Sequence, residues 1–211
     1  MTTTDSPSPL PRLLRRPAFW AAVLMLIAVV VAIATWPRAA VEDYGPLASY
    51  QFTSQAGEPF GSKELAGRVY VANFVFTRCP TICPRFTSLM AGVQEELGAG
   101  VPNVHLVSFS VDPEFDTPEV LAEYASRYRA DPARWTFLTG NYKEIEETVV
   151  KGFKIAMGRE SPDENDVMSI FHGEHFVVVD QRGHLRGYVH ANEEDAVSRV
   201  AALARRLASE G

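Results

Sequence analysis

Two thiols and a handful of imidazoles are the side chains of this sequence best suited to chemistry. Cys79 and Cys83 are the only cysteines among 211 residues, and they stand four positions apart. A disulfide closing so short a loop would restrain the unfolded chain little, because the entropic gain grows with loop length. The pair therefore reads as reactive or metal-binding rather than as a staple. The segment FVFTRCPTICP, Phe74 to Pro84, puts both thiols where an apolar run ends and a helix is expected to begin. With the helix under way by Cys79, positions i and i+4 share one face about 5–6 Å apart. Two thiolates could then meet one soft ion. A helix amino terminus also lowers a thiol pKa, which favours metal binding and nucleophilic attack alike.

Thiolates select Cu(I), Zn(II) or iron–sulfur clusters. Two cysteines exclude a four-cysteine cluster, and structural zinc wants four Cys or His ligands. Two thiolates with one imidazole make an open site, which suits copper that must later be released. A metal-free reactive dithiol fits the same residues, although redox thioredoxins space their pair C-x-x-C, one residue tighter. A peroxide-reducing cysteine fits worse, because the second thiol is too close for the usual resolving arrangement. The five histidines are His105, His172, His175, His184 and His190. His105 lies inside an apolar run and reads as structural. His184 follows a glycine turn and reads as solvated, and His190 ends a strand with no evident partner. His172 and His175, in SIFHGEHFVVVD, precede the strand that passes beside the active cysteines in thioredoxin-type folds. Position alone does not choose between them.

The elements that must hold these groups read as an alternation of strands and helices from about residue 48. Arg68 to Phe76 and Val104 to Val111 are continuous apolar runs, suited to strands covered on both faces. Helices are expected from the cysteine pair to Leu97, from Pro118 to Arg129, and from an Asn141 cap to Lys151. Trp135 to Leu138 is a short strand. Residues 152–171 carry few signals and read as a long loop or insertion with room for a small hairpin. Glu174 to Val179 and Leu185 to His190 form a hairpin around Asp180-Gln181-Arg182-Gly183. A last helix, preceded by Asn192 as its cap, lines up Val197, Val200, Leu203 and Leu207. The order β–α–β–α–β–α, hairpin, α predicts an α/β sandwich of thioredoxin type.

Residues 17–36 read PAFWAAVLMLIAVVVAIATW, without a charge. About 20 apolar residues span a bilayer core of roughly 30 Å, and a cleaved signal would have a shorter apolar region of roughly 7–15 residues. The sequence thus divides into a cytoplasmic tail 1–16, a transmembrane anchor 17–36, a tether 37–47 and a folded domain 48–211. Arg12, Arg15 and Arg16 keep the amino-terminal flank inside, so the domain is expected on the outer face of the cytoplasmic membrane. Thiols there face oxidation and need a reductant. A formal net charge of −6 with no basic stripe sets nucleic acid aside as a partner.

Together these residues resemble the Sco/SenC family of copper-binding assembly factors. The resemblance rests on TRCPTICP (Thr77 to Pro84), SVDPEFDTPEVL (Ser110 to Leu121), WTFLTG (Trp135 to Gly140), and a histidine eleven residues before the glycine of a D-x-x-G turn. Counted back from Gly183, that histidine is His172. The resemblance covers roughly residues 48–208. It implies a thioredoxin-like fold behind an amino-terminal transmembrane helix, and Cu(I) or Cu(II) held by Cys79, Cys83 and His172. It implies copper delivery to, or thiol preparation of, the Cu(A) site of cytochrome c oxidase subunit II. A copper donor and a thiol reductant are then further partners, and thiol–disulfide exchange on target cysteines is the alternative activity. Two features depart from the commonest family pattern: the extra imidazole of His175, and Asp180-Gln181-Arg182-Gly183 in place of G-P-D-G. Asp112 and Asp116 match the family's D-x-x-x-D and read first as turn and helix-start signals.

Overall fold

The computed structural model describes residues 17–35, 40–80, 82–98, 101, 103–161, 163 and 166–210. It divides into two units, Met1–Ala40 and Val41–Gly211. The first contains helix α1 (Pro17–Thr35), free of acidic and basic residues, with Trp20, Leu24 and Met25 exposed. Its nineteen residues rise about 28 Å at 1.5 Å each, just under a bilayer core. Among the described residues no helix is long and apolar enough to cross a membrane. The expected tail 1–16 lies outside the described residues, as do Trp36 and the first part of the expected tether, residues 37–39.

The second unit is built on a seven-stranded sheet. Its three central strands are β3 (Val69–Val75), β4 (Val104–Ser110) and β5 (Trp135–Thr139), every residue of which is buried. That is the burial a continuous apolar run predicts. β3 pairs parallel with β4 and β4 with β5, through crossover helices α2 (Cys83–Leu97) and α3 (Pro118–Arg127). Thr117 caps α3 by accepting from the Val120 N–H at 3.4 Å. Asn141 caps α4 (Tyr142–Glu147), as expected, by accepting from the Glu144 N–H at 3.2 Å. The helix then widens into a π turn over Thr148–Gly152. The hairpin of β8 (His175–Val179) and β9 (Leu185–His190) joins β3 antiparallel.

Beyond β5 the sheet gains two strands that the sequence analysis missed, β1 (Gln51–Ser54) and β2 (Pro59–Gly61), both antiparallel. On one face of the sheet Phe74, Phe109 and Phe153 form an aromatic cluster, with Phe109 and Phe153 ring centres 5.0 Å apart. On the other face α2 packs with the last helix, α5 (Ala196–Ala208), and Phe86 meets Phe176 at 4.7 Å. α5 presses so closely on β9 that a Cβ at Gly187 would stand 2.5 Å from Leu203 Cδ2. The expected Asn192 cap of α5 is not found. Asp195 precedes the helix without a side-chain cap, and Asn192 instead joins Arg85 to Glu174.

The small pair of strands for which 152–171 left room is present, and one further expectation changes. The stretch 152–171 contributes a second, two-stranded sheet of β6 (Met157–Arg159) and β7 (Ile170–His172); its residues 162, 164 and 165 lie outside the described ones. Residues 41–47, expected as tether, are stitched onto the β8–β9 turn. Tyr44 N–H donates to the Leu185 carbonyl and Leu47 N–H to that of Gly183, both at 2.9 Å. Arg186 donates to the carbonyls of Val41 and Glu42. Backbone groups left bare beside a paired turn find partners when they can, so the folded unit begins at Val41 rather than at residue 48.

Candidate metal centre

β3 ends at Val75 and the chain turns through Phe76, Thr77 and Arg78 to Cys79. Cys79 N–H donates to the Phe76 carbonyl at 3.3 Å. α2 starts only at Cys83, so the thiols are not an i, i+4 pair on one helix, as expected. One sits in the loop and one at the first helical position, with Pro84 behind it in the first turn. Thr81 lies outside the described residues. Both cysteines are unbridged; Cys83 is fully buried and Cys79 is 8% exposed. Their side chains hydrogen bond to each other.

His172 closes β7 and turns its ring onto this pair. Its Nε2 lies 3.5 Å from Cys83 Sγ. Its Nδ1 donates to the Gly173 carbonyl at 3.3 Å, which leaves the Nε2 lone pair facing the thiols. The ring stands edge-on to Phe76. Burial lowers the His172 pKa, so the imidazole is held neutral, as a metal ligand must be. Cys83 behaves against expectation. Its pKa is raised, first by the hydrogen bond with Cys79 and then by burial, and these outweigh the lowering by a backbone hydrogen bond with Phe76. A recess of about 220 Å³ opens beside the site, lined by Phe76, Cys79, Pro80, Met168 and His172 among others.

The spacing suits a bound ion. First-row ions hold sulfur at about 2.3 Å and imidazole nitrogen at about 2.0 Å, which puts the two donors about 3.5 Å apart at a tetrahedral angle. That is the separation of Cys83 Sγ and His172 Nε2. Among the described residues no three Cys, His, Asp or Glu side chains already stand closed around one point. The third donor, Cys79, is on a loop and within hydrogen-bond reach of the second.

Asp112 and Asp116 turn out to hold the cysteine loop, a role the sequence analysis did not assign. Asp116 is fully buried. It accepts from Thr77 N–H at 3.2 Å, from Thr77 Oγ1 at 2.5 Å and from Ser110 Oγ at 2.6 Å. Burial nevertheless pushes its pKa up to about 6. Asp112, equally buried, takes Arg78 Nε at 2.6 Å and an Arg159 nitrogen at 2.7 Å. Thr77 and Arg78, which lead into Cys79, and Arg159, on the strand paired with that of His172, are thereby tied to one loop. The D-x-x-x-D spacing was visible in the sequence, but its partners Thr77, Arg78 and Arg159 lie 34 to 47 residues away.

The other histidines fall elsewhere. His105 is buried and bonded to Thr136 at 2.9 Å, structural as expected. His184 is not simply solvated: its Nδ1 lies 2.9 Å from Asp43. His175 and His190 face each other across β8 and β9, ring centres 4.8 Å apart, and His190 Nδ1 accepts the Asn192 N–H. His175 is thus engaged with His190, and it is His172 that the fold brings to the thiols.

A parallel-cored sheet extended by a carboxy-terminal hairpin and helix, with a dithiol and a neutral imidazole where the first crossover helix begins, defines a thioredoxin-like domain with a thiol–imidazole site. The chain belongs to the SCO1/SenC family, which it matches over residues 42–208. It is 38% identical over 135 residues to the SCO1 protein homolog of Bacillus subtilis, covering 64% of this chain and 68% of that one. It is 32% identical over 142 residues to a protein of Stutzerimonas stutzeri named for copper binding, 67% of either chain. Its fold resembles that of BsSco, a member of the Sco family of cytochrome c oxidase assembly proteins with a disulfide switch. There the TM-score is 0.71 and the identity 30%, over 82% of this chain and 100% of the other.

Proposed function

We propose that the protein is a copper chaperone: Cys79, Cys83 and His172 hold the ion and pass it to the Cu(A) site of cytochrome c oxidase subunit II. The observation that carries this reading is the 3.5 Å approach of His172 Nε2 to Cys83 Sγ, beside the unbridged thiol of Cys79, whose interaction with Cys83 raises the latter's pKa. Membership of the family and the copper-binding relative support it. Two thiolates favour Cu(I), and the imidazole extends the set to Cu(II). Binding releases the thiol protons. The ion's charge then offsets the burial that keeps Cys83 protonated. Transfer is ligand exchange, each bond replaced in turn by a thiolate or imidazole of the target. A copper donor loads the site, and a reductant keeps the pair as thiols.

In this reading the apolar stretch 17–36 anchors the chain in the cytoplasmic membrane, with Arg12, Arg15 and Arg16 inside and the domain outside. The test is copper content and thiolate-to-Cu(II) absorption of the purified chain. One copper per chain is expected, lost in Cys79→Ser and Cys83→Ser, with Cu(II) affinity at least about tenfold weaker in His172→Ala. Full affinity and unchanged absorption in His172→Ala would exclude the histidine.

The thiol–thiol hydrogen bond also favours a second reading, a thiol–disulfide oxidoreductase. Cys79, in the recess, attacks a target disulfide as thiolate. Cys83 then displaces the target's second thiol from the mixed disulfide, leaving Cys79–Cys83 oxidised and the target reduced. A strongly reducing potential without copper affinity would select this reading.

A further inference from the structure

Five methionines occur in the chain, and one of them differs in setting from those of the core. Met90 and Met157 are buried, whereas Met168 is 68% exposed. A single exposed apolar side chain needs no explanation on its own. Met168, however, belongs to the wall of the recess that Cys79 and His172 also line. It sits on the turn Val167–Ser169 that leads directly into the strand carrying His172. That turn is fastened from inside: Ser169 is buried, its N–H and hydroxyl both donating to the Asp166 carbonyl, and Ile170 is buried behind it. The turn is thus internally hydrogen bonded, and it presents Met168, an unbranched and exposed side chain, at the recess.

The chemistry of a thioether in that place is specific. It is soft, neutral and carries no proton to lose, so it binds Cu(I) and has little preference for Cu(II) or harder ions. The acidic, cysteine and histidine side chains do not by themselves close a cluster of three around one point among the described residues. A flexible sulfur at the wall of the recess adds one soft donor to the Cys79 thiol and the His172 imidazole that share that wall. We infer that Met168 is a fourth, Cu(I)-selective ligand, whose thioether reaches the ion held by Cys79, Cys83 and His172 from the open side of the recess. This inference rests on the copper-chaperone reading and adds an oxidation-state preference to it.

The test compares the detergent-solubilised full chain with Met168→Leu, an exposed substitution of similar volume that removes only the sulfur. Cu(I) affinity, measured by competition with a Cu(I) chelator, is expected to fall about tenfold, the lower end of what loss of a supporting ligand costs. Cu(II) affinity is expected to fall less than about twofold. In selenomethionine-labelled protein loaded with Cu(I), selenium-edge absorption should show a selenium–copper contact that disappears in labelled Met168→Leu. Equal Cu(I) affinities, or no selenium–copper contact, overturn the assignment while leaving the three-ligand site intact. A wild-type chain that binds no copper overturns both.

Discussion

The carboxylate beneath the cysteine loop should make the fold's stability depend on pH in a way that one substitution removes. Asp116 has no exposed surface. Burial raises its pKa from the ordinary 3.8 to about 6, against the opposing pull of the Ser110 and Thr77 hydrogen bonds. The folded chain thus holds this proton more tightly than the unfolded one. The stability contributed by the protonated carboxyl is complete below about pH 4 and is lost as pH rises through about 6. A shift of this size corresponds to about 3 kcal/mol. Asp116→Asn removes the titration while keeping an acceptor for Thr77 N–H. Its unfolding free energy relative to wild type should therefore rise by about 2–3 kcal/mol between pH 4 and pH 7. Urea denaturation of the metal-free chain across that range measures it; leaving the metal out keeps proton release by the thiols from entering the slope. A difference that stays flat, or that runs the other way, refutes the reasoning.

Arg159→Met leaves the buried Asp112 carboxylate to Arg78 alone and should cost about 3 kcal/mol in chemical denaturation. A loss below about 1 kcal/mol would mean that Arg78 suffices. Gly183 holds φ 77° in the hairpin turn, so Gly183→Ala should destabilise by about 1 kcal/mol, read as a lower urea midpoint at unchanged slope. His172 has a lowered pKa because it is buried. Its contribution to copper affinity, the difference between wild type and His172→Ala, should therefore stay constant from pH 8 down to the ordinary histidine value of 6.5. A decline already above that value would show a ring more exposed to solvent than the fold places it.

The central strands were legible because strands buried on both faces leave continuous apolar runs; β3, β4 and β5 are such strands. The Asn141 cap was legible because its partner is three residues away. β1 was not, since its four residues earn their place by pairing with β5, some eighty positions later. The start of α2 was misplaced for a related reason. Pro80 looked like a first-turn residue, but the chain entering Cys79, at Thr77 and Arg78, is held by Asp116 and Asp112, long-range partners that no local pattern reveals. Asn192 had the composition of a cap and lost that role to the competing reach of Arg85 and Glu174. His172 could be told from His175 only through the family's spacing. The physical basis is the β6–β7 pair, whose register sets His172 opposite Met157.

The fastening of residues 41–47 to the β8–β9 turn has a mechanical consequence. That turn is one end of the hairpin; the other, where His175 faces His190, lies on the side of the sheet from which β3 runs out to the thiols. Five residues of strand cover about 16 Å. The hairpin therefore acts as a short beam with the chain's attachment at one end and the sulfur donors beyond the other. A force arriving at Val41 is borne by Arg186, itself braced on Asp180 at 2.7 Å. The load passes into the sheet before it can reach Cys79, so the donor geometry is insulated from tugging on the amino-terminal side.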